Sequence, residues 1–290
     1  MKKIFLLSAI GIGTCVMSLP LLGIAAEDSQ QFVSAALRSL KQRQPNWRSE
    51  TVKVFSNGVP EQVLLYEPLL SGEEAAVKQV FFYENGRIRS EMDVATIGAD
   101  EKGALEWQST VVPHGTRIDL NLDGSVRQIA YYQYGLLEGE LQVFFSDGSL
   151  EASSQYLGGI LNGASQSFFA KDKPKEKVHY YNGQIDGDYV KYYENGNKAL
   201  VFPHEEGKLH GLCCEWYPSG VLKSKRQFVN GQLHGDGKNS AAIIYDENRN
   251  VLEVLDFRDG IAVGPHIRYH KNGKEAYRVI YKDGNKEGKE

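Results

Sequence analysis

The sequence predicts an all-β fold, an elongated open antiparallel sheet of tandem hairpins about 24 residues apart, preceded by a short helix. Three observations predict it. Glycine pairs four residues apart recur at a step of 24: Gly135/Gly139, Gly159/Gly163, Gly183/Gly187, Gly207/Gly211 and Gly231/Gly235. The count then slips by five, to Gly260/Gly264, and resumes at Gly284/Gly288. A fixed period of this length marks a repeat array, each unit burying its apolar face on its neighbours. Second, an Asn-Gly, Asp-Gly or Ser-Gly step recurs between apolar runs, at Gly86, Gly124, Gly148, Gly196, Gly220 and Gly273. Asn-Gly in that setting signals a two-residue hairpin turn with both central residues at positive φ. Third, two aromatic-rich columns keep the register. One holds Leu120, Phe144, Phe168, Tyr192, Trp216 and Tyr269, and the other Tyr132, Tyr156, Tyr180, His204, Phe228, Phe257 and Tyr281.

The unit is clearest between Gly187 and Gly211, where Tyr192-Tyr193-Glu194-Asn195-Gly196 leads into the next glycine pair. In register over residues 111–288, and more faintly from Val52, it resembles the variant bacterial form of the MORN repeat. The resemblance implies an open sheet of successive hairpins, used for protein or membrane-surface contact rather than chemistry, with some relatives described as antitoxin-like.

Taken in order, residues 1–26 read as a signal peptide: Lys2 and Lys3, an apolar run from Ile4 to Leu22 broken by Pro20, then small residues before Glu27. Cleavage after Ala25 or Ala26 and retention as an anchor are both open. Cys15 follows Thr14, a poor fit to a lipidation box. Residues 27–48 read as an amphipathic helix, with Phe32, Val33, Ala36, Leu37 and Leu40 at helical spacing and a stop before Pro45. Its expected role is to cap the first edge of the sheet, with a membrane or partner contact as the alternative. Residues 49–110 read as degenerate hairpins turning at Gly58 and Gly86, interrupted by inserted loops at 67–76 and 96–107. Residues 111–290 carry the regular repeats, with Asp172 and Arg249 at the degenerate turns, which makes nine hairpins in all.

Composition excludes some functions. With 41% apolar and 24% charged residues the chain is suited to folding. The net charge is −4, and −6 once Lys2 and Lys3 leave with the leader, so the chain lacks the electrostatic footprint of a nucleic-acid binder. No sequence motif of a nucleophile elbow, P-loop, zinc protease or dinucleotide fold is present. His114, His210 and His234 each precede the second glycine of a pair. Equivalent positions in adjacent hairpins lie about 9.6 Å apart, too far to converge on one metal ion, so no metal or cofactor is expected. His266 and His270 are further apart still. The segment Lys171 to Lys177 reads as a solvated basic turn. Cys213 and Cys214 are adjacent on a strand, where side chains point to opposite faces, so packing is favoured over a strained bond between neighbours.

The functional expectation rests on Phe144, Phe168, Tyr192 and Trp216, an apolar strip with no second layer of sequence to cover it. Opposite it stand Val143, Ser167, Lys191 and Glu215. The strip is the candidate partner-binding surface of an exported, non-enzymatic scaffold, whose partner is a protein or a membrane surface and not a nucleic acid or small-molecule substrate. Two alternatives remain: a glycan- or envelope-binding repeat protein, and an enzyme with its site before Val111.

Overall fold

The computed structural model describes residues 26–287, and the leader, apart from Ala26, lies outside them. The described residues form one open antiparallel sheet of 23 strands plus a separate two-stranded ribbon, Phe257–Arg258 with Ile261–Ala262. Pairing follows the sequence. Arg48–Val54 pairs with Pro60–Pro68, that strand with Glu74–Phe82, and the ladder continues in the same way to Glu275–Lys282 and Asn285–Glu287. Short connections between antiparallel neighbours leave no other order open.

The turns differ from the expectation. At Gly148 the glycine N–H donates to the Phe145 carbonyl at 2.9 Å and Phe145 N–H to the Ser149 carbonyl at 2.9 Å, which closes a three-residue loop. Only the glycine is left-handed, with φ 81°, and Asp147 is not. This is a type I turn followed by a bulge rather than a two-residue turn. The residue before the glycine is selected for its side chain: Asp147 Oδ1 accepts the Ser149 N–H at 2.8 Å, and Asn195 Oδ1 the Asn197 N–H at 3.0 Å. Gly86, Gly124, Gly196, Gly220 and Gly273 repeat the backbone pattern.

The two-residue turn with both residues left-handed is present on the opposite edge of the sheet, at the first glycine of each pair. Asn182 and Gly183 have φ 47° and 79°, and Asn230 and Gly231 have 50° and 81°. Tyr134-Gly135, Gly158-Gly159, Glu206-Gly207, Asp259-Gly260 and Asp283-Gly284 match them. There the glycine N–H reaches back to the preceding repeat: Gly183 to the Leu161 carbonyl at 2.8 Å, Gly231 to Leu209 at 2.8 Å. A backbone bond therefore stitches each turn to the one before. The second glycine bends the strand, at φ 117° in Gly163 and 109° in Gly211. Across from it, in register, stands the second aromatic column: Tyr180 opposite Gly163 and Phe228 opposite Gly211. On the other side, a Cβ at Gly163 would run into the Gln155 side chain and one at Gly211 would meet Pro203 at 3.5 Å, so the glycine makes room for the preceding strand.

The insertions also differ from expectation. Residues 67–76 are not a loop: Pro60–Pro68 and Glu74–Phe82 meet at a tight turn, with Gly72 N–H donating to the Leu69 carbonyl at 3.0 Å. Of the second insertion, Thr96 still belongs to the strand Ile88–Thr96, but 97–110 does leave the sheet and carries a short helix, α2 (Lys102–Trp107). The slip of five falls between Gln232–Leu233 and Ala242–Tyr245, where the Asp236 carboxylate holds the N–H groups of Lys238 and Asn239. Of the basic stretch 171–177, only 171–172 turns, because Lys173–Tyr181 is strand.

Helix α1 (Ala26–Ser39) does not cap the first edge. The edge strand Arg48–Val54 is exposed throughout, and α1 lies on one face of the sheet, over Val111–Leu120 and Val126–Gln133. Ala36 and Leu40 join Ile118, Ile129, Phe144 and Leu150 in the core, with Phe32 and Val33 at its margin, while Leu37 stays exposed. Long-range polar bonds fix this seat. Lys41 N–H donates to the Asp93 carboxylate at 3.1 Å, and the hydroxyls of Ser39 and Thr116 meet at 2.7 Å. Beneath them Lys78, 1% exposed, bridges Asp93 at 3.1 Å and Glu91 at 2.7 Å, so the buried charge is paired.

Candidate functional site

Phe144, Phe168, Tyr192 and Trp216 each stand at or near a strand end, just before a turn. They share a face with the row of directly opposed residues Ile129, Gln142, Ser153, Gln166, Lys177, Val190, Val201 and Cys214. The expectation that this face lacks a second layer is corrected by α1. Phe144 is 3% exposed beneath the helix, and half-buried Phe168 packs at the rim of the same cluster. Burial of one such ring stabilises the protein by about 1.5–3 kcal/mol. Tyr192 and Trp216, further along, lie outside the cluster under the helix and are half-buried. Burial raises the pKa of the Tyr192 phenol above its ordinary value.

The residue after the column has a separate task. Tyr193 Oη–H donates to the Trp216 carbonyl at 2.9 Å, Tyr217 Oη–H to the Tyr245 carbonyl at 2.9 Å, and Tyr83 Oη–H to the Leu120 carbonyl at 2.8 Å. Asn195 Nδ2–H adds a bond to the Pro218 carbonyl at 2.7 Å. These turns are thus held each to the next, and Tyr192 and Trp216 are presented from a fixed backbone. The opposite face is polar and charged: Lys191 lies 3.3 Å from Glu176, and Glu215 bridges Lys223 and Arg226. Burial pushes the Glu215 carboxyl up, but hydrogen bonds and charge from Arg226 and Lys223 outweigh it and leave the pKa below the usual range.

Cys213 and Cys214 are both buried, on opposite faces of one strand. Cys213 is a free thiol whose pKa burial pushes up to about 12, so it is neutral and unreactive at ordinary pH. The histidines that precede the second glycines have separate neighbours. His114 stacks on Tyr134 at 4.2 Å between ring centroids, His210 lies 3.2 Å from Glu205, and His234 lies 2.9 Å from Asp259. Among the described residues no group of three metal-capable side chains converges.

A concavity of about 530 Å³ on the face opposite α1 was not legible in the sequence. Its lining includes Arg89, Arg117 and Arg127 from three successive strands, Ser90 and Asp119, and Trp107 at the end of α2. The helix is held against the first two-residue turn of the opposite edge, Trp107 Nε1–H donating to the Gly135 carbonyl at 2.8 Å. The only sequence signal was the insertion itself.

The fold and its turns define a class, the tandem β-hairpin repeat proteins. Within it, the profile described as "MORN repeat variant" matches residues 209–230, a segment that contains the strand Gly211–Trp216, its turn and the next strand, Leu222–Val229. The same hairpin recurs in register on both sides, so the chain carries a MORN repeat within an array of like hairpins. No curated protein matches it. Two solved structures are similar at 10% identity, "Crystal Structure of TcdB2-TccC3" and "Crystal Structure of TcdB2-TccC3-Cdc42", covering 78% and 81% of this chain. The chain spans only 17% of the length of each, and TM-scores of 0.18 and 0.14 carry no argument about fold or function.

Proposed function

We propose that the chain is an exported, non-enzymatic repeat scaffold that binds a protein or membrane-surface partner through the aromatic strip beyond α1. The observation that carries this reading is the change along one column. Phe144 is taken up under the helix, whereas Tyr192 and Trp216 keep part of their rings at the surface on turns tied to one another. Half-wet tyrosine and tryptophan on a rigid backbone are suited to contact, since little side-chain entropy is lost on binding. Export is supported by the leader pattern in residues 1–26.

The test is capture of partners by the chain lacking residues 1–26, then affinity measurement on folded variants. Tyr192→Ala or Trp216→Ala should weaken binding by about 2 kcal/mol or more, as at an aromatic hot spot. Lys191→Ala and Glu215→Ala, on the opposite face, are the matched controls. Full affinity in folded aromatic variants would reduce the strip to packing.

A further inference from the structure

We infer that the concavity beside α2 is a binding site for a small anion, a phosphate or carboxylate group carried on a flat apolar body. The inference goes beyond the scaffold reading and does not depend on it. Three arginines lie around the concavity, in a protein whose net charge is −4. Arg117 is committed in part: its Nε lies 3.0 Å from Asp119 Oδ1, which fixes the guanidinium and offsets one charge. Arg89 and Arg127 are exposed and, among the described residues, face no carboxylate within ion-pair distance. The local surplus is therefore two positive charges with planar donor forks, the geometry that carboxylate and phosphate oxygens match.

Two further features point to a ligand rather than to a solvated basic patch. Ser90, 3% exposed, is among the residues around the cavity, and its hydroxyl, closed to solvent, has no hydrogen-bond partner among the described residues. A buried hydroxyl left unpaired is costly, and a small shift toward the cavity would let it donate to an anion's oxygen. The Trp107 ring lines the same cavity, its centroid 5.9 Å from the Arg117 guanidinium carbon. A volume of about 530 Å³ lies within the range of small-molecule pockets, and an indole beside cationic groups suits a planar body with a charged end.

Trp107 makes the test direct. Phenyl phosphate titrated into the full chain should change tryptophan fluorescence saturably, and Trp107→Phe should remove the change, leaving the signals of Trp47 and Trp216. The double variant R89Q/R127Q alters only exposed side chains, and circular dichroism would establish that it is folded. In it the affinity should fall by about tenfold or more, the loss of two charge-assisted contacts. Inorganic phosphate alone should bind more weakly than phenyl phosphate, and neutral benzyl alcohol should not compete. No saturable signal, equal affinity in the folded double variant, or benzyl alcohol binding as tightly as phenyl phosphate would each overturn the assignment.

Discussion

Along one edge of the sheet, at Gly86, Gly124, Gly148, Gly196, Gly220 and Gly273, the chain reverses over three residues and only the last is left-handed. Along the other, from Gly135 to Gly284, it reverses over two residues, both left-handed. The surroundings differ as well. A Cβ built on Gly124, Gly148, Gly196 or Gly273 meets nothing within 4 Å and one on Gly220 meets Asn197 at 3.4 Å, whereas one on Gly183 meets Ile160 Cγ2 at 3.3 Å and one on Gly135 meets the Gly103 Cα at 2.9 Å. The molecule records the consequence itself. Asp172 and Arg249 stand in for the left-handed glycine on the first edge, with φ 59° and 66°. The second position of every two-residue turn on the other edge, among the described residues, is glycine. Both edges need glycine for conformation, and at Gly135 and Gly183 the second edge needs it for close approach as well.

The largest effect is expected where the second edge meets α2. A Cβ at Gly135 would sit 2.9 Å from the Gly103 Cα, backbone against backbone, at a residue with φ 85°. Gly135→Ala should cost about 3–5 kcal/mol, combining left-handed strain with overpacking. It should also displace α2, read as a shift in Trp107 emission alongside urea unfolding. A loss no greater than that of Gly124→Ala would remove the distinction between the edges at its strongest point.

A smaller contrast is expected within the regular repeats. Gly183→Ala should cost about 2–3 kcal/mol, from strain plus the contact with Ile160, and Gly148→Ala or Gly196→Ala about 1 kcal/mol. Urea midpoints measured under one set of conditions compare them. Equal losses in the two series would show that stacking between turns adds nothing to backbone strain.

The smallest effect concerns pH and the carboxylates that close the loops. Asp236 is held down to about 2, chiefly by the Asn239 backbone N–H, then by the Asn239 side chain and the Lys238 N–H. Asp123 and Asp147 are lowered chiefly by the Ser125 and Ser149 hydroxyls. A depressed carboxyl stabilises the fold above its ordinary pKa and loses that contribution as pH falls through the folded value. The loop at 234–241 should therefore hold down to about pH 4 and loosen toward about pH 2, read from the Asp236 carboxyl shift and the amide signals of Lys238 and Asn239. An Asp236 that titrates at about 4, the ordinary value, would mean that the loop does not use it.

Much of this architecture is determined by the sequence alone, because its causes are local. The 24-residue glycine period, the alternating strands and the turn residues set a hairpin array, and short turns then allow only one strand order. The aromatic columns were also legible, since in-register positions of an array fall in line. The turn types were assigned to the wrong edge for a local reason too. Asn-Gly marks both: Asn195 before Gly196 works through its side chain, and Asn182 before Gly183 through its own left-handed backbone. Only the neighbouring turn tells them apart. What the tertiary structure alone decided involves partners far apart in the chain. Helix α1 could have covered any apolar row, and its place follows from Lys41 reaching Asp93 and Ser39 reaching Thr116. The arginine-lined concavity needs Arg89, Arg117 and Arg127 on successive strands, with an inserted helix bringing Trp107 to the same place. Neither period nor propensity encodes such meetings, because each depends on where the whole sheet puts residues that are ordinary by themselves.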